Sequence, residues 1–157
     1  MKTVLVALFT LAIASNIYAQ HPNWLDEAIR VDDPDELAYW TAVQTDCPLT
    51  VDEVESVIEA VLTDSRIKPL KHRIFEDGRI YLNLNLRCTR AVTGATYAFS
   101  IDIHFGRYQP WPAILFDAPY AYFGIGGKDL ILRNCEERVT AAVAAFAKAN
   151  TLIVGKR

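Results

Sequence analysis

The chain has 157 residues, with 16 Lys and Arg against 19 Asp and Glu, a formal net charge of −3, and 52% apolar residues. That is enough chain for one domain with a packed core and too little for two. The composition excludes a basic nucleic-acid binder, since neither an RNP-like motif nor a lysine-rich stretch is present.

The N-terminus reads as a secretory leader over residues 1–19. Lys2 supplies the positive end, Val4 to Ala14 the apolar core, and Ile17-Tyr18-Ala19 a cleavage site before Gln20, with Ala12-Ile13-Ala14 as the alternative site. An apolar run of about 11 residues is too short for an ordinary membrane span. No cysteine adjoins either site, so a lipid anchor is not expected. The leader implies an exported protein, periplasmic or secreted, with a bacterial envelope favoured.

Charge is divided along the rest of the chain. Residues 20–64 carry 12 acidic side chains against one basic one, Arg30, whereas residues 65–157 carry 14 basic against 7 acidic. Either the two parts face each other in the fold, which is the favoured reading, or the second presents a positive surface to an anionic partner. Three cysteines in an oxidising compartment permit one disulfide, assigned to Cys47 and Cys88, and leave Cys135 as a buried free thiol on the last helix. There is no CxxC, so neither a redox dithiol nor a paired-cysteine zinc site is indicated.

Residues 20–36 form an acidic arm anchored by Trp24, Leu25, Ile29 and Val31, read as a short helix or a surface segment. Asp33-Pro34-Asp35-Glu36 has the pattern of a helix start, yet Tyr39 to Thr45 is rich in aromatic and β-branched residues and reads as a strand. A helix follows, opened by a Thr50/Glu53 capping box, striped by Val54, Val57, Ile58, Val61 and Leu62, and closed by Pro69. Leu70 to Glu76 is expected to be a strand that turns through Asp77-Gly78 to pair with the next one.

Two strands dominate the middle of the chain. Ile80, Leu82, Leu84, Leu86 and Cys88 alternate with Arg79, Tyr81, Asn83, Asn85 and Arg87. Tyr97, Phe99, Ile101, Ile103 and Phe105 alternate with Thr96, Ala98, Ser100, Asp102 and His104. Each is a strand with one dry and one wet face, and the linker Thr89 to Ala95 makes them a hairpin. After a proline-broken loop at Arg107 to Pro112 come short strands at Ala113–Phe116 and Tyr120–Ile125, with Asp117-Ala118-Pro119 turning between them. A helix from Asp129 to Ala149 then presents Ile131, Cys135, Val139, Ala142 and Phe146, before a fraying tail at 151–157. The fold class is α+β: a single domain over 37–150, with a mainly antiparallel sheet of four to five strands and two helices on one face.

The wet sheet face is the candidate site. The simplest registers place His72, Asn83 and Asp102 in one row and Ile74, Tyr81 and His104 in the next, with Tyr120 and Tyr122 beside Tyr81 on the same face and Tyr108 and Trp111 in the adjoining loop. Two histidines, a carboxylate, a phenol and amides suit polar recognition or acid-base chemistry, and flat aromatic rings beside amides and guanidinium groups suit a sugar, a peptide strand or a nucleobase. His72 and His104 would stand two strands apart, about 9–10 Å, too far to share a metal.

Three smaller features carry less. Gly124-Ile125-Gly126-Gly127-Lys128 could cradle an anion, but it lacks P-loop spacing and reads as a strand-to-helix turn. Ser100 lacks a nucleophile-elbow context, and His21, second in the mature chain, reads as a leader-proximal residue rather than a copper ligand.

The function expected is therefore a small exported binding or protein-interaction domain. Arg79, Tyr81, Asn83, Asn85, Arg87, Asp102, His104, Tyr120 and Tyr122 would contact a protein, peptide or glycan partner, an anionic one included. No metal and no cofactor are called for. Two alternatives are a small acid-base hydrolase working through His104 and Asp102, with Tyr81 and His72 as lesser candidates, and an inhibitor or immunity-type protein that masks another protein by charge.

Overall fold

The computed structural model describes residues 23–91, 95–109, 114–116 and 120–151. The leader over 1–19, His21, Trp111, the turn at Asp117 to Pro119 and residues 152–157 of the tail lie outside them. In chain order the elements are α1 (Asn23–Ala28), β1 (Glu36–Val43), α2 (Val51–Asp64), β2 (Lys68–Lys71), a 3₁₀ turn (Arg73–Phe75), β3 (Ile80–Arg90), β4 (Tyr97–Arg107), β5 (Ile114–Phe116), β6 (Tyr122–Gly126) and α3 (Lys128–Thr151).

The strands lie in the order β2-β1-β3-β4-β5, and β6 also pairs with β4. β5 meets β4 at Phe105 to Arg107 and β6 meets it at Tyr97 to Ile101, so these two short strands share one edge and six strands fill five positions. All pairings from β3 onward are antiparallel, whereas β1 runs parallel to both β2 and β3. The fold class is the expected α+β, with a mixed rather than wholly antiparallel sheet.

The parallel part arises because Leu70 to Glu76 does not form a hairpin with β3. The strand there is Lys68–Lys71, which α2 carries back alongside β1 as a strand-helix-strand crossover. His72 then adopts a left-handed backbone with φ of 59°, which ends the strand and starts the 3₁₀ turn. Gly78 does take the positive φ that its turn needs, 72°, but that turn feeds β3 from the 3₁₀ segment. The helix pattern at Asp33 to Glu36 is likewise overridden: Glu36 opens β1, and the strand expected at Tyr39 to Thr45 runs from Glu36 to Val43.

α2 begins as its sequence indicates. Thr50 Oγ1 accepts from the Glu53 backbone N–H at 3.2 Å, and the Glu53 carboxylate accepts from the Thr50 N–H at 2.9 Å. It ends before Pro69 matters. Arg66 takes a left-handed φ of 61°, its N–H bonds Thr63 O, and the Ile67 N–H bonds Leu62 O, a Schellman closure. Pro69 instead sits in the edge strand β2, where a missing donor is tolerated.

One core joins the sheet to both helices. Leu82, Leu84, Leu86, Ile101, Ile103 and Phe105 are buried against Val54, Ile58 and Leu62 of α2 and against Ile131, Cys135, Val139, Ala142 and Phe146 of α3. Every residue of the expected α3 stripe is therefore inside. Cys47 and Cys88 are bonded, as assigned, and Cys135 is a buried free thiol that burial pushes up to about 12.

The two oppositely charged parts of the chain do face each other at several points. Lys68 meets Glu36 at 2.7 Å, Lys71 meets Glu55 at 2.6 Å, Lys128 meets Glu53 at 2.6 Å, and Arg79 meets Glu36 at 3.6 Å. Arg87 and Arg90 stand apart from this compensation: both are exposed and neither has an acidic partner among the described residues. No helix among the described residues is long and apolar enough to cross a membrane.

Candidate functional site

With α2 and α3 packed on one side, the opposite face of the sheet, covered at one end by the 3₁₀ turn, is the candidate surface among the described residues. Its rows follow from the pairing. Ala38, Tyr81 and Gly106 form one, Trp40, Asn83 and His104 the next, then Ala42, Asn85 and Asp102. Arg87, Ser100 and Phe123 form a fourth row, and Thr89, Ala98 and Ile125 a fifth.

The hairpin register is two residues away from the expected one. Asn83 faces His104 and Asn85 faces Asp102, whereas the simplest turn would have paired Asn83 with Asp102 and Tyr81 with His104. The cause is strand length: Thr89 and Arg90 continue β3, and the connection begins only where the Ala91 N–H bonds Thr96 O. Parity is unaffected by a two-residue shift, so Tyr81, Asn83, Asn85, Arg87, Asp102 and His104 still share one face.

Their surroundings differ along that face. At one end Tyr81 is buried with Ala38, Leu70 and Ile74, because the 3₁₀ turn folds over it, and burial raises its phenol pKa. Its ring lies on Gly106, where a side chain would have its Cβ 2.2 Å from the Tyr81 ring. Arg79 is held by Glu36 and Glu76. The hydrogen bond from Lys68 keeps the Glu36 carboxyl below its usual range, with Lys68 and Arg79 charges adding to the effect. This end is a second small core and an ion-pair cluster rather than an open surface.

In the middle, Asn85 Nδ2 donates to Asn83 Oδ1, and Asn83 is buried. Asp102 and His104 are half-buried neighbours on β4, and the His104 Nδ1 atom is buried without a hydrogen-bond partner among the described residues. Trp40 stands exposed in the same row as His104. His72 is not with them. Its Nε2 lies 3.8 Å from Glu55 Oε1 of α2, on the helix side, because β1 separates β2 from β3.

The two remaining tyrosines also leave the face. Tyr120 is in the main core, edge-on to Phe105 at 6.4 Å, and burial first, then Asp26, raises its phenol pKa. Tyr122 points toward the helices, 5.8 Å from the Phe99 ring, with the Arg138 guanidinium 4.9 Å from its own ring centre. β6 is thus turned over relative to the expectation that put Tyr122 on the wet face: Phe123 and Ile125, of the opposite parity, are 75% and 72% exposed on the outward face. A sequence signal for this does exist in the glycines. Gly124 and Gly126 share Tyr122's parity, and a Cβ there would strike Phe99 at 2.7 Å and Leu130 at 2.4 Å respectively, so the glycine side is the tightly packed one.

Phe123 and Ile125 complete a trough at the open end of the face. Small residues of β4, Ala98 and Ser100, form its floor; Arg87 and Thr89 rise on one side and Phe123 and Ile125 on the other, around a depression of about 630 Å³. One wall is polar and cationic, the other apolar. The walls stand two strand spacings apart, about 9–10 Å, room for a single extended chain or a row of side chains. Gly124 to Gly126 closes β6 and Lys128 opens α3, so the strand-to-helix turn is at Gly127, and Lys128 is engaged with Glu53.

No family model matches this sequence, and no curated protein matches it. Among solved structures, a minor lipoprotein from Acinetobacter baumannii is similar in backbone layout, at 8% identity and a TM-score of 0.40 over 74% of this chain and 92% of that one. A likeness of that degree carries no argument about function.

Proposed function

We propose that this chain is a small exported binding domain that holds a partner protein against the outward face of its sheet, with the contact centred on the trough between Arg87 and Phe123. One observation carries the reading: Phe123 and Ile125 are 75% and 72% exposed on one face, directly across from the Arg87 guanidinium, which has no acidic partner among the described residues. Exposed large apolar side chains that adjoin a charged rim are the usual composition of a protein contact. Asn85, Asp102, His104 and Trp40 extend the surface beyond the trough, and Arg79 and Tyr81 shape its closed end. Export is supported by the leader-like N-terminus together with the Cys47–Cys88 bridge, which suits an oxidising compartment.

The test is site-specific photo-crosslinking in the native envelope. A photoreactive side chain at Ser100 or Thr89 is expected to give a discrete adduct that Arg87→Glu removes, while the same group at Ser56 on α2 gives none. Adducts that arise only from Ser56, or that ignore the charge of residue 87, would count against this face.

A further inference from the structure

We infer that β6 is a docking edge, at which an extended partner segment of alternating apolar and acidic residues joins the sheet as a further strand beside Tyr122–Gly126. This rests on the binding reading above and states how the partner is held.

The two edges of the sheet are built differently. β2 reads Lys68-Pro69-Leu70-Lys71: it is short, proline removes a donor, and its two lysines are tied to Glu36 and Glu55. Short length, proline and lysine are the devices by which sheets prevent unwanted pairing. β6 reads Tyr122-Phe123-Gly124-Ile125-Gly126 and carries neither proline nor charge. It pairs with β4 on one side, and no strand lies along its other side among the described residues. Alternate residues of such a strand turn their N–H and C=O groups outward, which makes it a template for strand addition.

Side chains beside this edge specify what the incoming strand must carry. On the outward face, Phe123 and Ile125 call for apolar neighbours that bury them. On the helix side, the half-buried Arg138 guanidinium lies over the Tyr122 ring with no acidic partner among the described residues, so a carboxylate on the incoming strand would pair with its outer nitrogens. Successive strand residues point to opposite faces, so these two demands alternate along one segment. A second copy of this chain would bring the same uncharged edge and the same guanidinium groups, with no carboxylate on that strand to meet Arg138. An acidic partner segment fits better.

The experiment uses the full chain and a capped peptide of about eight alternating valine and glutamate residues, with binding measured by calorimetry and amide hydrogen exchange. The peptide is expected to bind and to slow exchange at Tyr122–Gly126 but not at Lys68–Lys71. Its lysine-for-glutamate version, and a version N-methylated along its edge-facing side, are each expected to bind at least about tenfold more weakly. Equal binding by the N-methylated peptide, absence of protection at β6, or self-association that alone protects β6 would each overturn strand addition. Crosslinks from Ser100 that persist beside such a result would leave the binding face standing and remove only this mode of using it.

Discussion

Truncation of Phe105 to alanine is expected to destabilise the protein by about 3–5 kcal/mol, the usual cost of deleting a fully buried aromatic ring. Phe105 is completely buried on β4. Its ring stacks on Phe146 of α3 at 6.2 Å and meets Tyr120 edge-on at 6.4 Å, so one side chain joins the sheet, the last helix and the segment entering β6. Loss of the ring removes transfer free energy and leaves a void that three rigid elements cannot close. Urea denaturation at equilibrium provides the measurement, and Phe123→Ala is the matched control. The exposed ring of Phe123 packs little, so its removal should change stability by no more than about 0.5 kcal/mol. Similar losses from the two variants would mean that the faces of the sheet have been assigned wrongly.

Loss of the disulfide is expected to have a comparable effect. Cys47 and Cys88 are 41 positions apart, and a loop of that length gives an unfolded-state entropy term of about 4 kcal/mol. The bridge also lies beside a local network: the Gln44 N–H bonds Leu86 O, and the Cys88 N–H bonds the Gln44 side chain. These contacts hold the end of β1 against β3 after the bond is cut, so the reduced or doubly serine-substituted protein should remain folded in mild conditions while its denaturation midpoint falls. Cys135 should not substitute for either partner, since it is buried in the core and burial keeps its thiol protonated. A midpoint unchanged by reduction would contradict this account.

Much of the fold was legible because its strongest signals are local. The Thr50/Glu53 box, the alternation from Ile80 to Cys88 and from Tyr97 to Phe105, and the α3 stripe are each set by residues close in sequence, and each element forms where its pattern lies. What was not legible depends on partners far along the chain. The strand pairing expected through Asp77-Gly78 gives way to pairing with β1, because α2 delivers Lys68–Lys71 to β1 before His72 breaks the strand. The hairpin register turns on whether Thr89 and Arg90 extend β3, and neither residue carries a turn signal that would decide it.

The site divides in the same way. Parity alone places Asn83, Asn85, Arg87, Asp102 and His104 together, and that holds through the register shift. Tyr122 leaves the face because β6 is a strand whose greasiest residues face out and whose glycines face in, and Tyr120, just before that strand, sits in the core. The burial of Tyr81 under Ile74 depends on a 3₁₀ turn that period-two reasoning treats as strand.

The orientation of β6 decides whether the trough exists, and hydroxyl-radical footprinting of the native protein reads it directly. The account predicts rapid oxidation of Phe123 and Trp40, with Phe99, Phe105 and Tyr120 protected in the same sample. Protection of Phe123 together with rapid oxidation of Tyr122 would show the strand facing the other way, and the binding surface proposed beside Arg87 would be lost with it.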